Sequence, residues 1–151
     1  MAGAGTVTQA IDHYSTQPRG TGKGGFKVVK LTCIGDSSGG GIPATDTTQA
    51  ITNQIKGCYL IKVQGIIGAT APTAASDVTI KDENGVDLLS GNGTDLLSNT
   101  PSTAAEAWPM DATQFGQQPI IGALTLTVTN DIVASATYQI WLYCVAASPG
   151  L

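Results

Sequence analysis

Two segments near the end of the chain limit what it can fold into. Residues 124–129 read Leu-Thr-Leu-Thr-Val-Thr, so three aliphatic side chains alternate strictly with three threonines. Successive side chains of a β-strand point to opposite faces of a sheet, so this pattern predicts a strand with one dry face and one wet face. Residues 137–145 alternate in a similar way and predict a second strand.

Similar short segments recur earlier in the chain, separated by residues that favour turns. We predict further strands over residues 26–34, 57–67, 77–81, 86–89 and 106–110, with a shorter one at 96–97. In the segment 57–67 we expect Tyr59, Ile61 and Val63 to share one face. Asn84-Gly85 predicts a type I′ hairpin turn.

Residues 45–56 are ambiguous. Ile51 and Ile55 are spaced by four, as in a helical turn, but the threonines and Gly57 favour a short strand. About eight short strands with no clear helix predict an all-β fold, a β-sandwich. A jelly roll and an immunoglobulin-like arrangement are the two options, of which we favour the jelly roll. The low helix content argues against an α/β enzyme fold.

The N-terminal part has a different composition. Residues 1–25 are rich in Gly, Thr, Ser and Gln and show no apolar periodicity, so they cannot bury enough surface to offset their ordering entropy. We expect residues 1–25 to form an extended arm, disordered when free and ordered against a partner. A short helical turn around residues 7–14 is an alternative. Residues 26–151 would form the sandwich domain.

The charges are distributed unevenly. Four basic residues lie in the first 30 positions against a single carboxylate: Arg19, Lys23, Lys27 and Lys30. The rest of the chain holds three lysines against ten carboxylates. A basic arm on an acidic body can dock onto an acidic neighbour, including a second copy of the chain, so we predict that these four residues contact a partner. The net charge of −4 argues against nucleic-acid binding, which needs clustered Lys and Arg.

The sequence predicts neither catalysis nor a cofactor. His13, the single histidine, lies in the expected arm, whereas triad-type sites hold their imidazole in place. Three cysteines, Cys33, Cys58 and Cys144, lie in apolar stretches without C-x-x-C spacing. We interpret them as buried reduced thiols and find no usual zinc ligand set among them. One strained or intermolecular disulfide is the alternative.

Two segments resemble known ligand-binding motifs in residue type, but their structural context or spacing does not fit those motifs. Residues 20–25 fit G-x-G-x-x-G, but a polar arm precedes them and a strand follows, whereas a dinucleotide site joins a strand to a helix. Residues 82–87 carry three carboxylates that could hold calcium. Their spacing does not fit an EF-hand loop, and a hairpin turn explains Asn-Gly, so calcium is left as an open alternative.

Trp141 and Tyr143 suggest a binding surface. They alternate with Tyr138, Ile140 and Leu142, so both faces of this predicted strand are apolar. A two-layer sandwich buries one face of each sheet, and aromatic residues on the other commonly anchor interfaces. Three explanations stay open: cover from the same chain, a contact between subunits, or a platform for carbohydrate.

Several segments together resemble a known class of proteins. They are Gly57-Cys-Tyr-Leu-Ile-Lys-Val63, Gly68-Ala-Thr-Ala-Pro-Thr73, the segment 77–89, Gly122–Asn130 and Ala136–Tyr143. In this order they resemble small virion structural proteins of tailed bacteriophages, over roughly residues 57–145. The resemblance implies a β-sandwich or jelly-roll subunit on the capsid or at the head–tail junction, with no catalytic residues to transfer.

The expected role is therefore that of a capsid decoration (cement) protein. Its partners would be the major capsid protein and other copies of itself, as a dimer or trimer. A tail- or head–tail-associated module that recognises host surface glycan is the alternative. No apolar run approaches the ~20 residues of a membrane span, and the N-terminus lacks the order of a signal peptide. We expect synthesis in a host bacterial cytoplasm and a final location on the capsid surface.

Overall fold

Eleven strands and one short helix make up the described part of the chain, residues 5–14, 26–111 and 114–146 of a computed structural model. The helix is α1 (Gln49–Ile55). The strands are β1 (Thr6–Tyr14), β2 (Phe26–Ile34), β3 (Ile42–Asp46), β4 (Cys58–Ile67), β5 (Asp77–Lys81), β6 (Ala104–Ala107), β7 (Met110–Asp111), β8 (Gln114–Phe115), β9 (Gln118–Pro119), β10 (Thr125–Thr129) and β11 (Thr137–Ala146). None of the helices in these ranges is long and apolar enough to cross a membrane.

Two antiparallel sheets form the sandwich. The larger has the strand order β1-β2-β11-β4-β6, and β9 also pairs with β4. The smaller has the order β3-β10-β5, and β7 and β8 form a separate two-stranded ribbon. The predicted all-β sandwich is therefore confirmed. The jelly-roll topology stays a prediction.

One cluster of buried apolar side chains draws on the inner faces of both sheets. The large sheet contributes Leu31, Leu60 and Ile140, and the small sheet contributes Ile80 and Leu126, each at most 2 % exposed. Burial of an aliphatic side chain stabilises a fold by about 1.5–3 kcal/mol, so this shared cluster holds the two sheets together.

The strictly alternating segment behaves as predicted. In β10, Leu126 and Val128 are buried, whereas Thr125 and Thr127 are half-buried on the opposite face. In β11, the alternation also places Tyr138, a core residue, on the inner side. A strand that alternates over this many residues has only one orientation in which its apolar side chains face the core.

The prediction of a strand within residues 45–56 is wrong in part, because α1 occupies residues 49–55. Thr48 is its N-cap, and its Oγ1 accepts a hydrogen bond from the backbone N–H of Ile51 at 3.3 Å. Ile51 and Ile55 are both buried, as expected for apolar residues one helical turn apart. The cap and the paired isoleucines outweigh the strand preference of the threonines.

The predicted type I′ hairpin is also wrong. That turn needs a positive φ at both central residues, and here Gly85 has φ +81° whereas Asn84 does not have a positive φ. Asp82 organises the turn instead, since its Oδ1 accepts from the N–H groups of Asn84 and Val86, each at 2.9 Å. The predicted return strand over 86–89 reduces to a single bridge between Lys81 and Asp87.

Two other predicted strands are shifted or shortened. The segment predicted at 106–110 is divided between β6, which ends at Ala107, and β7, which begins at Met110. At 96–97 the structure shows a single bridge between Leu97 and Ser76.

A β-bulge changes the facing of β4. Tyr143 pairs with Lys62, but the next residue of β11, Cys144, pairs with Leu60, so Ile61 has no partner in the ladder. Leu60 is consequently buried, and Tyr59 lies half-buried on the other face. The prediction that Tyr59 shares a face with Val63 is therefore wrong, because an extra residue reverses the phase of the alternation.

Residues 6–14, which we expected in a loose arm or a helical turn, form β1 at the edge of the large sheet. Val7 and Ile11 pack against the core. The Gln9 side chain links the strand to the segment before α1, since its Nε2 donates to the carbonyl of Asp46 at 2.9 Å and its Oε1 accepts from the N–H of Thr48 at 2.8 Å. Of the other residues assigned to the arm, Gly5 is described, and residues 1–4 and 15–25 lie outside the described residues.

Candidate functional site

The outer face of the large sheet carries most of the aromatic side chains that lie outside the core. On β11, Tyr138, Ile140 and Leu142 point inward, so Trp141 and Tyr143 point outward, as predicted. Neighbouring strands add residues to the same side. We call this surface the outer aromatic face and define it by Tyr14, Phe26, Lys30, Lys62, Trp108, Trp141 and Tyr143.

Four rings of this face form a continuous row across β1, β2 and β11. Tyr14 stacks on Phe26 with ring centroids 4.8 Å apart and planes 13° apart. The ring centroids of Phe26 and Tyr143 are 6.4 Å apart, and those of Tyr143 and Trp141 are 6.5 Å apart. Ring pairs at such separations stabilise one another by about 0.5–1.5 kcal/mol beyond the area they bury. The row is therefore a fixed surface rather than a set of independent side chains.

Two lysines lie over these rings. Lys30 Nζ is 4.4 Å from the ring centroid of Trp141, and Lys62 Nζ is 4.4 Å from that of Tyr143. Each ammonium also has a carboxylate partner: Asp12 at 2.6 Å for Lys30, and Glu106 at 3.2 Å for Lys62. The hydrogen bond with Asp12 raises the pKa of Lys30 above its ordinary value.

Two glutamines fix the polar edges of the central rings. Tyr143 Oη donates to Gln64 Oε1, and Trp141 Nε1 donates to Gln139 Oε1, each at 2.8 Å. The hydrogen-bonding groups of both rings are thereby satisfied within the sheet. A partner could then contact the ring faces without having to satisfy these groups.

An apolar groove extends the outer aromatic face along β11. Its volume is about 310 Å³, and it begins at Gln139, the residue that holds the indole of Trp141. Ile34, at one side of the groove, is 48 % exposed. The lining residues are Thr32, Cys33, Ile34, Ile66, Ile67, Gly68, Thr137, Tyr138 and Gln139. The rings and the groove together form one largely apolar surface on a sheet face that a two-layer sandwich does not bury.

The structure unites some of the predicted contact residues and separates others. Lys30, Trp141 and Tyr143 lie together on the outer aromatic face. Lys27 does not, because its Nζ donates to the backbone carbonyl of Gln54 at the end of α1. Arg19 and Lys23 lie outside the described residues, so their predicted role stays a prediction.

Sequence analysis missed four members of this face: Tyr14, Phe26, Lys62 and Trp108. Tyr14 and Phe26 are paired in the β1–β2 register, a pairing that was missed once residues 1–25 were assigned to an arm. The alternation within β2 does carry a usable signal, because Phe26 and Lys30 are separated by an even number of residues and therefore share a face.

Other groups considered for chemistry make contacts within the fold. His13 lies at the end of β1 with its Nε2 2.7 Å from Gln54 Oε1. Cys33, Cys58 and Cys144 are buried free thiols, as predicted, and burial raises the pKa of Cys33 and of Cys144 to about 12. The thiols of Cys33 and Cys144 are therefore poor nucleophiles near neutral pH.

The acidic turn at residues 82–87 uses two of its three carboxylates, those of Asp82 and Asp87, to accept hydrogen bonds from the backbone. Besides the contacts of Asp82, Asp87 Oδ1 accepts from the N–H of Leu89 at 3.1 Å, and its Oδ2 accepts from the N–H of Gly91 at 2.9 Å. No group of three or more His, Cys, Asp or Glu side chains within residues 5–14, 26–111 and 114–146 is placed to hold a metal ion.

No protein-family model, curated protein or solved structure matches this chain.

Proposed function

We propose that this chain is a structural subunit of a bacteriophage virion, a capsid decoration protein that binds the major capsid protein through its outer aromatic face. The observation that carries the proposal is the row of Tyr14, Phe26, Tyr143 and Trp141 on the solvent side of a sandwich sheet. Contiguous apolar surface of this kind on a soluble domain commonly marks an interaction site.

The composition of the face suits a protein partner. Tyr and Trp are enriched among the residues that carry most of the binding energy at protein interfaces. Here they are held by Gln64 and Gln139, so little side-chain entropy remains to be lost on docking. The two lysines lie over the central rings and, with their carboxylate partners, add charged groups to the face that a polar partner surface can contact.

The mechanism of decoration would be linkage. A subunit that binds the assembled shell and not its dissociated parts stabilises the shell by mass action. Repetition around the lattice adds avidity without any new type of contact. The resemblance of residues 57–145 to phage virion proteins supports this setting, and Arg19 and Lys23 are proposed as additional contacts to an acidic neighbour.

The test uses empty capsids of the phage whose genome encodes the chain. We expect the purified protein to sediment with the capsids and to raise their melting temperature. Trp141→Ala and Tyr143→Ala should each weaken binding about tenfold or more, the effect typical of anchor residues. Phe115→Ala is the matched control, because this ring is 71 % exposed but lies on β8, outside the outer aromatic face.

Thermal unfolding of each variant establishes that it is folded before binding is compared. Equal binding by wild type and by Trp141→Ala would overturn the proposed surface. Absence of binding to capsids in any assembly state would overturn the decoration role.

A glycan-binding module is the second candidate, and the exposure of two rings favours it. Tyr14 and Trp108 are 43 % and 44 % exposed on the same face, and flat exposed rings also stack on sugars. Titration of host surface polysaccharide against the tryptophan fluorescence separates the two functions. Saturable quenching by polysaccharide, together with no capsid binding, would establish glycan binding and rule out capsid decoration.

A further inference from the structure

We infer that the free edge of β1 is an interface at which two copies of this chain pair. β1 pairs with β2 over nine consecutive residues without a register shift, from Thr6 opposite Ile34 to Tyr14 opposite Phe26. No strand among the described residues pairs with its other side. Every second residue of such a strand directs its N–H and C=O away from the sheet, where another strand can bind them.

The other sheet edges carry features that discourage pairing. β6 has four residues, and β9 has two and ends in Pro119. β3 contains Pro43 and is irregular in its register with β10. β5 carries charges at both ends, Asp77 and Lys81. Short length, proline, irregular register and charge are the usual protections of an edge strand. β1 has none of the first three.

The longer polar side chains of β1, those of Gln9, Asp12 and His13, are engaged by their own chain. The carboxylate of Asp12 is paired with Lys30, and Gln9 is bonded to the segment that precedes α1. His13 contacts Gln54 at the end of α1. These side chains therefore do not extend across the free edge. Among the exposed residues of the strand, three are small: Thr6, Thr8 and Ala10.

The sequence of β1 is compatible with itself in an antiparallel pair. A two-fold axis through Ala10 places Thr6 opposite Tyr14 of the second copy and Thr8 opposite its Asp12. All nine residues then have a partner, and the two Asp12 carboxylates lie four residues apart along the strand, about 14 Å. No like charges face each other directly.

This pairing preserves the facing of both sheets. Residues 6, 8, 10, 12 and 14 lie on the outer side of β1, and the axis through Ala10 pairs even-numbered residues with even-numbered residues. The two outer aromatic faces therefore lie on the same side of one continuous sheet. The inference does not depend on what that doubled face binds, and its test measures the association of the purified chain alone.

The first experiment measures self-association by analytical ultracentrifugation. We expect a reversible dimer whose affinity falls roughly tenfold in Thr8→Asp, because two new carboxylates then face the two Asp12 carboxylates across the axis. Thr8→Lys is the matched control: it places a positive charge opposite Asp12 and should leave the dimer as strong or stronger. Within its own chain Thr8 faces Thr32, and both are exposed, so the two variants should fold alike.

The second experiment locates the axis by cross-linking. In Ala10→Cys the two new thiols lie directly opposite each other, so mild oxidation should give a covalent dimer. In Thr6→Cys the two new thiols lie eight residues apart along the paired strands, about 27 Å, and should not link. The native cysteines are buried and do not compete.

Two results would overturn the inference. One is a monomer at about 1 mM chain, far above the concentration at which a specific pair should form. The other is a dimer that responds equally to Thr8→Asp and Thr8→Lys and does not cross-link through Ala10→Cys. That dimer would use a different surface.

Discussion

Single side chains secure the loops that close the sandwich at one end, and Asp131 is the clearest example. It is 4 % exposed, and its Oδ1 accepts from the N–H of Thr73 and from the N–H of Val133, each at 3.0 Å. Thr73 Oγ1 in turn accepts from the N–H of Ile132 at 2.9 Å. Two loops that are distant in sequence are thereby joined through one carboxylate.

We predict that Asp131→Ala lowers the free energy of unfolding by about 2 kcal/mol, because it leaves two partly buried N–H donors without their acceptor. Asp131→Asn keeps one acceptor oxygen and should lose clearly less. Urea denaturation of the three proteins measures the difference. Equal losses in the two variants would show that the oxygen at this position is not what holds the loops.

The buried thiols predict a dependence of stability on alkaline pH. The pKa of Cys33 and of Cys144 is about 12 in the folded chain and 9.0 ordinarily, so the unfolded chain loses these protons first. The free energy of unfolding should be insensitive to these thiols below pH 9 and fall as pH rises from 9 to 12. The slope is at most about 1.4 kcal/mol per pH unit for each thiol.

Urea denaturation at several pH values between 8 and 11 checks this expectation. Burial also raises the pKa of Tyr138. Deprotonation of this residue in the unfolded chain should therefore lower the free energy of unfolding further above pH 10. Cys144→Ala should remove one thiol's share of the slope, whatever it does to the stability at neutral pH. An unchanged slope in this variant would contradict the assignment.

At the scale of secondary structure, α1 depends on a single cap. Its seven residues are too few for an isolated helix to be stable, so the hydrogen bond at Thr48 and the buried isoleucines decide whether it forms. The helix also supplies contacts to Lys27 and His13 through Gln54.

We predict that Thr48→Ala destabilises the protein by about 1 kcal/mol, the usual cost of losing a capping side chain. Thr48→Asp should restore most of this loss, because its carboxylate can accept the same bond. Thermal unfolding compares the two with the wild type. If Thr48→Asp were as unstable as Thr48→Ala, the bond to the N–H of Ile51 would not be the cause.

The sequence predicts elements well where a long alternation meets the core, as in β10. It fails where the deciding interaction is tertiary. β1 alternates weakly, and its place depends partly on Gln9 and the segment before α1. The facing of β4 depends on a bulge opposite β11, which no pattern within β4 reveals.

The same distinction applies to the candidate surface. Trp141 and Tyr143 could be assigned to it because both lie on one strand with a clear core side. Tyr14 and Lys62 belong to strands that flank this region, and the order β1-β2-β11-β4 is not a property of any single segment. Lys30 was predicted as a partner contact for its charge, whereas its observed contacts are Asp12 and the ring of Trp141.

At the scale of the molecule, the shared core implies cooperative unfolding, because neither sheet keeps its buried face without the other. Both tryptophans lie on the outer aromatic face of the large sheet, so their fluorescence reports on that sheet, whereas far-ultraviolet circular dichroism reports on both. We predict urea transitions that coincide for the two signals. Separate midpoints would show that the small sheet unfolds independently.

The unpartnered Ile61 in β4 has a consequence for length variation in related proteins. Removing this residue would join Lys62 directly to Leu60 and give a ladder with uninterrupted alternation, so the inner and outer sides of the strand would be unchanged. Deleting a residue nearer the middle of the strand, such as Gln64, would instead turn the side chains on one side of the deletion to the opposite face of the sheet. Homologues of this chain should therefore tolerate a gap at position 61 and exclude one at position 64.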